Sequence, residues 1–124
     1  MNSNFTKLMR FLLALILIVF GVNKFLKFIP LPELPDQASG FMSSLDATGY
    51  MLPIVGVLEI FIGVLLILKK WVGFALMLLA PISVNIVLFH VFLDLPGIGG
   101  ALVVAILNGI LIYKYWTVYR PLFH

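Results

Sequence analysis

The chain has 124 residues, of which 63% are hydrophobic and only 10% are charged, and its mean hydropathy is +1.19. A soluble domain is about 45–50% apolar, so a water-soluble fold is excluded, because a chain this short could not bury so much apolar surface. The absence of cysteine excludes disulfides and thiolate metal or cluster sites within the chain, and the net charge of +3 is too small and scattered for a nucleic-acid-binding protein.

The first predicted element is a membrane-spanning helix over residues 8–29. Lys7 and Arg10 precede its apolar run, as basic residues precede the apolar run of a secretory signal. No small-x-small cleavage pattern follows that run, so we expect an uncleaved span.

The outer loop, residues 30–49, contains a second predicted element. Asp36 is a suitable helix cap and Gly49 a suitable stop. Phe41 and Leu45 fall on one face between them. The pattern predicts a short extracytoplasmic amphipathic helix, which either rests on the bilayer surface or forms a lid over an outward-facing pocket.

Three further spans are predicted at residues 50–68, 71–93 and 98–119, since each comes close to the roughly 20 apolar residues that cross a bilayer. The predicted fold is all-α, an integral membrane four-helix bundle in a single domain over residues 1–124. Four spans place both termini on one side of the membrane. The basic residues on that side are Lys7, Arg10, Lys69, Lys70, Lys114 and Arg120. The positive-inside rule then predicts a multi-pass protein of the inner (cytoplasmic) membrane with cytoplasmic termini.

Polar residues within the spans fall in the outer half or at the centre of the membrane, in two layers. At a rise of about 1.5 Å per residue, the deeper layer lies roughly 13–15 Å below the outer ends of the spans and contains Glu59, Asn85 and Asn108. The shallower layer, roughly 7–9 Å down, contains Asn23, Lys24 and His90. With Asp94 at the outer surface, these residues are the candidate polar pocket, and we expect a cavity there and not in the inner half.

Glu59 is the first candidate for a functional residue, because a charge at the middle of a membrane costs about 2.5–3.5 kcal/mol on insertion scales. Lys24 is the one amine that could meet it from the same half of the membrane. Alternatively, Glu59 is protonated, or it is a buried polar pin bonded to Asn85 and Asn108 that fixes helix register.

The third span carries its polar residues on two stripes. Pro81 and Asn85 share one, and Ser83, His90 and Asp94 share another about 140° away. Both stripes can face inward only if Pro81 distorts the helix. His90 is either a pocket residue or an interfacial histidine satisfied by Asp94, and no metal site is expected.

Small residues mark two candidate helix-packing faces. Gly56 and Gly63 flank Glu59 on one face of the second span, so Glu59 is expected to face the bundle interior. The fourth span has a stripe of small residues at Ala101, Ala105 and Gly109, near Asn108.

The segment "RFLLALILIVFGVNKFLKFIPLP" resembles the first helix of DoxX-like membrane proteins, with its G-x-x-K-F pattern at Gly21, Lys24 and Phe25. "GYMLPIVGVLEIFIGVLLIL" resembles their second helix, with the intramembrane acid at Glu59, and "LLAPISVNIVLFHVFLD" resembles a third-helix pattern of a bacterial branch. The resemblance implies a compact bundle of four transmembrane helices. Members of this family include a small membrane subunit of a thiosulfate:quinone oxidoreductase, and more distant relatives act as membrane chaperones.

Three functional hypotheses follow. The first is a redox-associated subunit that binds a lipophilic small molecule such as a quinone and works with a soluble or membrane oxidoreductase, since the chain has no redox ligand set of its own. The second is a small proton-coupled transporter, a homo-oligomer that shares its Glu59 residues. The third is an assembly or chaperone-type protein that packs against partner helices. Whether the chain is itself an enzyme stays open.

Overall fold

The computed structural model describes residues 4–26 and 35–123. The described residues form helices and no strand. The α-helices are α1 (Asn4–Leu26), α2 (Asp36–Ala47), α3 (Met51–Leu68), α4 (Val72–Leu93), α5 (Ile98–Lys114) and α6 (Trp116–Tyr119). Short 3₁₀ turns cover Leu95–Gly97 and Arg120–Phe123.

Four helical stretches are long and apolar enough to cross a membrane: Asn4–Leu26, Met51–Leu68, Val72–Leu93 and Leu95–Lys114. The predicted all-α membrane bundle is therefore confirmed. The first span begins earlier than predicted, and its predicted last residues, 27–29, lie outside the described part of the chain.

The fourth predicted span was too long, because the helix ends at Lys114 and not at residue 119. Tyr115 leaves helical geometry (φ −101°, ψ 20°), and α6 follows as a separate turn. The break lets the Tyr119 hydroxyl donate to the Gly73 carbonyl oxygen at 2.8 Å. The sequence does not indicate this break in the helix, because residues 116–119 are largely apolar like the residues before them.

The helices pack as a ring in which α1 contacts α3 and α5, and α4 contacts α3 and α5. The α1–α3 interface is the closest. A Cβ atom added at Gly21 would lie 2.9 Å from the Gly56 carbonyl oxygen, and one added at Gly63 would lie 2.6 Å from Ile18 Cγ1. Glycines therefore let these two backbones touch, as the prediction for Gly56 and Gly63 requires.

The second predicted packing stripe needs correction. Ala101 is buried and Ala105 half-buried, but a Cβ added at Gly109 would meet nothing within 4 Å. The helix turns Gly109 away from the bundle, so this end of the stripe makes no contact within the described chain.

The ends of the bundle differ in composition. The end that carries the described termini and the α3–α4 turn is called the terminal end, and the opposite end, which carries α2, is called the α2 end. Toward the terminal end the core is largely aliphatic, with fully buried side chains at Leu13, Leu17, Ile62, Leu66, Leu76, Leu79 and Leu111. Thr6 and Arg10 are buried at this end as well. The short helix α2 packs on α3 and α4, with the Phe41 ring 5.6 Å from that of Phe89.

Candidate functional site

An ion pair joins α1 to α3 in the α2-end half of the bundle. Lys24, in the last turn of α1, places its Nζ 2.5 Å from Oε1 of Glu59, in the third turn of α3. The side chain of Glu59 is 4% exposed, whereas that of Lys24 is 25% exposed. The pair therefore has a buried anionic end and a cationic end that reaches the surface of the protein.

The glycines of the α1–α3 interface make this contact geometrically feasible. A Cβ added at Gly56 would lie 3.3 Å from the Lys24 Cβ, and one added at Gly21 would lie 3.2 Å from the Glu59 Cβ. Each charged residue thus lies against a glycine of the opposite helix. The close approach brings the opposite charges together in a medium of low dielectric constant, where their attraction is strong.

Asn108 lies in a different polar cluster, between α4 and α5. Its Nδ2 donates to the Leu76 carbonyl oxygen at 3.1 Å, and its Oδ1 accepts from the Ser83 hydroxyl at 3.0 Å. Both side chains are buried. Ser83 was outside the predicted pocket, although its position on the His90 stripe could have indicated that it faces inward.

Asn85 does not belong to the buried polar layer, and that prediction was wrong. The residue is exposed, and its Nδ2 donates to the Pro81 carbonyl oxygen at 2.8 Å. Because α4 continues through Pro81, the two polar stripes stay apart and only the Ser83 stripe faces inward. The amide is satisfied within its own helix, which makes an outward position tolerable.

His90 and Asp94 meet at the α2 end of α4. Nδ1 of His90 lies 3.3 Å from Asp94 Oδ2 and 3.1 Å from the Asp94 carbonyl oxygen. Asp94 is buried and His90 is half-buried, with its ring edge against Phe89. Asn23 is also buried, next to Lys24 in α1. No group of three His, Asp or Glu side chains suited to a metal ion occurs in the part of the chain that the structure describes.

Arg10 is a buried residue that the sequence indicated only as a basic charge near a helix end. It is 4% exposed, its Nη1 donates to the Leu66 carbonyl oxygen at 2.5 Å, and its guanidinium lies 4.9 Å from the Phe11 ring centroid. Leu66 is in the last turn of α3, where carbonyl groups lack partners within the helix and carry the negative end of the dipole. Arg10 therefore caps α3 from α1.

Concave surfaces occur where they were not predicted. The larger one, of about 630 Å³, lies at the terminal end against α6. A smaller one, of about 240 Å³, lies on α3 and is lined by Pro53, Ile54, Val57 and Leu58. Neither is lined by a residue of the candidate polar pocket.

The family model of DoxX matches residues 5–91. The chain belongs to the DoxX family. The match includes Lys24, Glu59 and His90 and ends before Asp94 and Asn108. Neither the search of curated proteins nor the search of solved structures gives a match. With its four apolar helices, this DoxX-family protein is a multi-pass membrane protein.

Proposed function

We propose that this DoxX-family protein is a redox-associated membrane subunit that binds a lipophilic small molecule of the quinone class beside the Lys24–Glu59 pair. The observation that carries the proposal is the asymmetry of that pair. Glu59 is buried, whereas the side chain of Lys24 is 25% exposed and lies near the α2 end of α1. The pair thus holds a charged hydrogen-bond donor at the edge of an apolar bundle.

The residues around Lys24 suit a molecule with polar carbonyls and an apolar body. Carbonyl oxygens accept hydrogen bonds, and a bond from an ammonium group is among the stronger ones. Phe25 and Leu26, the next residues of α1, are 47% and 69% exposed and offer apolar surface beside the donor. A bound quinone would supply the redox chemistry, and electrons would come from a soluble or membrane oxidoreductase partner, since the sequence has no cysteine.

The apolar core favours this proposal over a proton-coupled transporter. Between Glu59 and the terminal end, the residues at the centre of the core, including Leu17, Ile62 and Leu66, are aliphatic and at most 1% exposed. A proton on Glu59 would have to pass this aliphatic layer before it reached the buried polar residues of the terminal end, Thr6 and Arg10. A homo-oligomer that shares its Glu59 residues would require each carboxylate to leave its partner Lys24.

The proposed location is the cytoplasmic membrane with both termini in the cytoplasm. The basic residues of the terminal end support it, because cytoplasmic loops carry an excess of Lys and Arg. The described acidic residues Asp36, Asp46 and Asp94 lie at or near the α2 end.

Binding of decylubiquinone, measured by native mass spectrometry of the gently extracted protein, tests the function. We expect Lys24→Met to weaken binding about tenfold, because loss of a charge-assisted hydrogen bond costs about 1.5 kcal/mol. Lys7→Met is the matched control, since Lys7 is an exposed lysine of the same helix at the terminal end.

Equal binding by the Lys24→Met variant and the parent protein would contradict the proposal. Co-purification of a partner protein would instead support an assembly role, provided that no quinone is retained even when decylubiquinone is added in large excess.

A further inference from the structure

The terminal end carries charge of one sign. Its basic residues lie in α1, in the α3–α4 turn and in the last helical turns, and none of the described acidic residues, Asp36, Asp46, Glu59 and Asp94, lies there. A cationic surface at the membrane boundary attracts anionic lipid headgroups.

The concavity of about 630 Å³ lies within this cationic surface. It is lined by Trp116, Thr117, Arg120, Pro121 and Phe123. The rings of Trp116 and Phe123 stack with centroids 5.6 Å apart and an interplanar angle of 17°. Arg120 and Thr117 thus line the concavity together with these two aromatic residues, so it combines a cationic and a hydroxyl-bearing residue with apolar rings.

Contacts with α4 hold this segment in place. Tyr119 is 2% exposed, and its hydroxyl group donates a hydrogen bond to the Gly73 carbonyl oxygen. A phenol is protonated at neutral pH already at its ordinary pKa of about 10, and burial raises the pKa of Tyr119 to about 12. A Cβ added at Gly73 would lie 2.7 Å from Val118 Cγ1, so the segment packs directly on the start of α4. Since Gly73 follows the Lys69-Lys70 turn, the concavity and that basic turn lie at the same end of α4.

We propose that this concavity binds the phosphate headgroup of an anionic phospholipid. The planar guanidinium of Arg120 matches phosphate oxygens in a paired geometry, and the Thr117 hydroxyl adds a further donor. Tryptophan is favoured at the depth where headgroups meet acyl chains. Leu122 and Phe123 are 70% and 65% exposed, and they provide apolar surface that acyl chains would cover and that free phosphate would leave bare.

The test uses Trp116 as a reporter of the bound lipid. The sequence has two tryptophans, so Trp71→Phe leaves Trp116 alone. In vesicles of phosphatidylcholine with phosphatidylglycerol, one lipid or the other is brominated, and quenching of Trp116 gives their relative occupancy. We expect a preference of about fivefold for the anionic lipid, lost in Arg120→Gln, partly kept in Arg120→Lys and unchanged in the control Lys7→Gln.

Equal quenching by the two brominated lipids would overturn the proposal, as would an equal loss in Arg120→Gln and Lys7→Gln, which would reflect net charge alone. Addition of inorganic phosphate at constant ionic strength then distinguishes a lipid headgroup from free phosphate as the ligand of the site. Unchanged preference supports the lipid, and complete displacement would assign the site to free phosphate instead.

Discussion

The Lys24–Glu59 pair makes each of its residues dependent on the other. Glu59 is 3% exposed as a whole residue, and its carboxylate oxygen faces the Lys24 ammonium group. Removal of one charge leaves the other without compensation, which is costlier than removal of both.

At the scale of the residue, we expect Lys24→Met to lower the free energy of unfolding by about 3 kcal/mol, because Glu59 stays buried without its partner. The double variant Lys24→Met with Glu59→Gln should recover part of this loss, since a neutral amide replaces the unpaired acid. The free energy of unfolding of both variants can be measured in mixed micelles with increasing fractions of dodecyl sulfate. A double variant no more stable than Lys24→Met would show that the two residues are not coupled.

Two asparagines at similar depths in the membrane lie in different environments. Asn85 and Asn108 both lie near the middle of their spans, and depth alone gave them the same predicted environment. Asn108 is buried between α4 and α5, whereas Asn85 is exposed and bonds to its own helix. The depth of a residue follows from its sequence position, but its direction depends on how the whole helix is rotated in the bundle.

Small residues have different consequences in different helices. The α1–α3 interface is tight at Gly63, where an added Cβ would lie 3.0 Å from the Ala14 carbonyl oxygen as well as close to Ile18. Gly109 of α5 faces open space.

At the scale of the element, we expect Gly63→Ala to lower the free energy of unfolding by about 1–3 kcal/mol through overpacking. Gly109→Ala, the matched control, should be neutral or stabilising by up to about 1 kcal/mol, because alanine favours the helix. Thermal unfolding in one detergent compares the two. If Gly109→Ala is the more damaging change, α5 packs against a partner helix that the single chain does not show.

The whole molecule is polarised along its axis, with an apolar core and a basic surface at the terminal end and the ion pair and α2 at the other. The proposed quinone site and the proposed anionic-lipid site lie at opposite ends of this arrangement. The orientation of the molecule in the membrane therefore decides which side each site faces.

At the scale of the molecule, we expect Ser43→Cys in α2 to react with a membrane-impermeant maleimide in intact bacterial cells. Lys70→Cys, in the α3–α4 turn, should react only after the cells are permeabilised. The parent chain has no cysteine and gives the background. The reverse pattern would place the termini outside and contradict the proposed topology.

An all-α bundle with four spans, the position of the α2 helix and the basic residues of the terminal end could all be predicted from the amino-acid sequence. These follow from length, apolarity and helix-ending residues, which are local properties, because in lipid each helix must satisfy its own backbone groups. The packing of the helices was needed to show that Lys24 pairs with Glu59, that Ser83 bonds to Asn108, that Asn85 faces outward and that the last helix breaks at Tyr115. Each of these depends on which helices are neighbours and how each is rotated about its axis, and those choices arise from contacts between residues far apart in the chain.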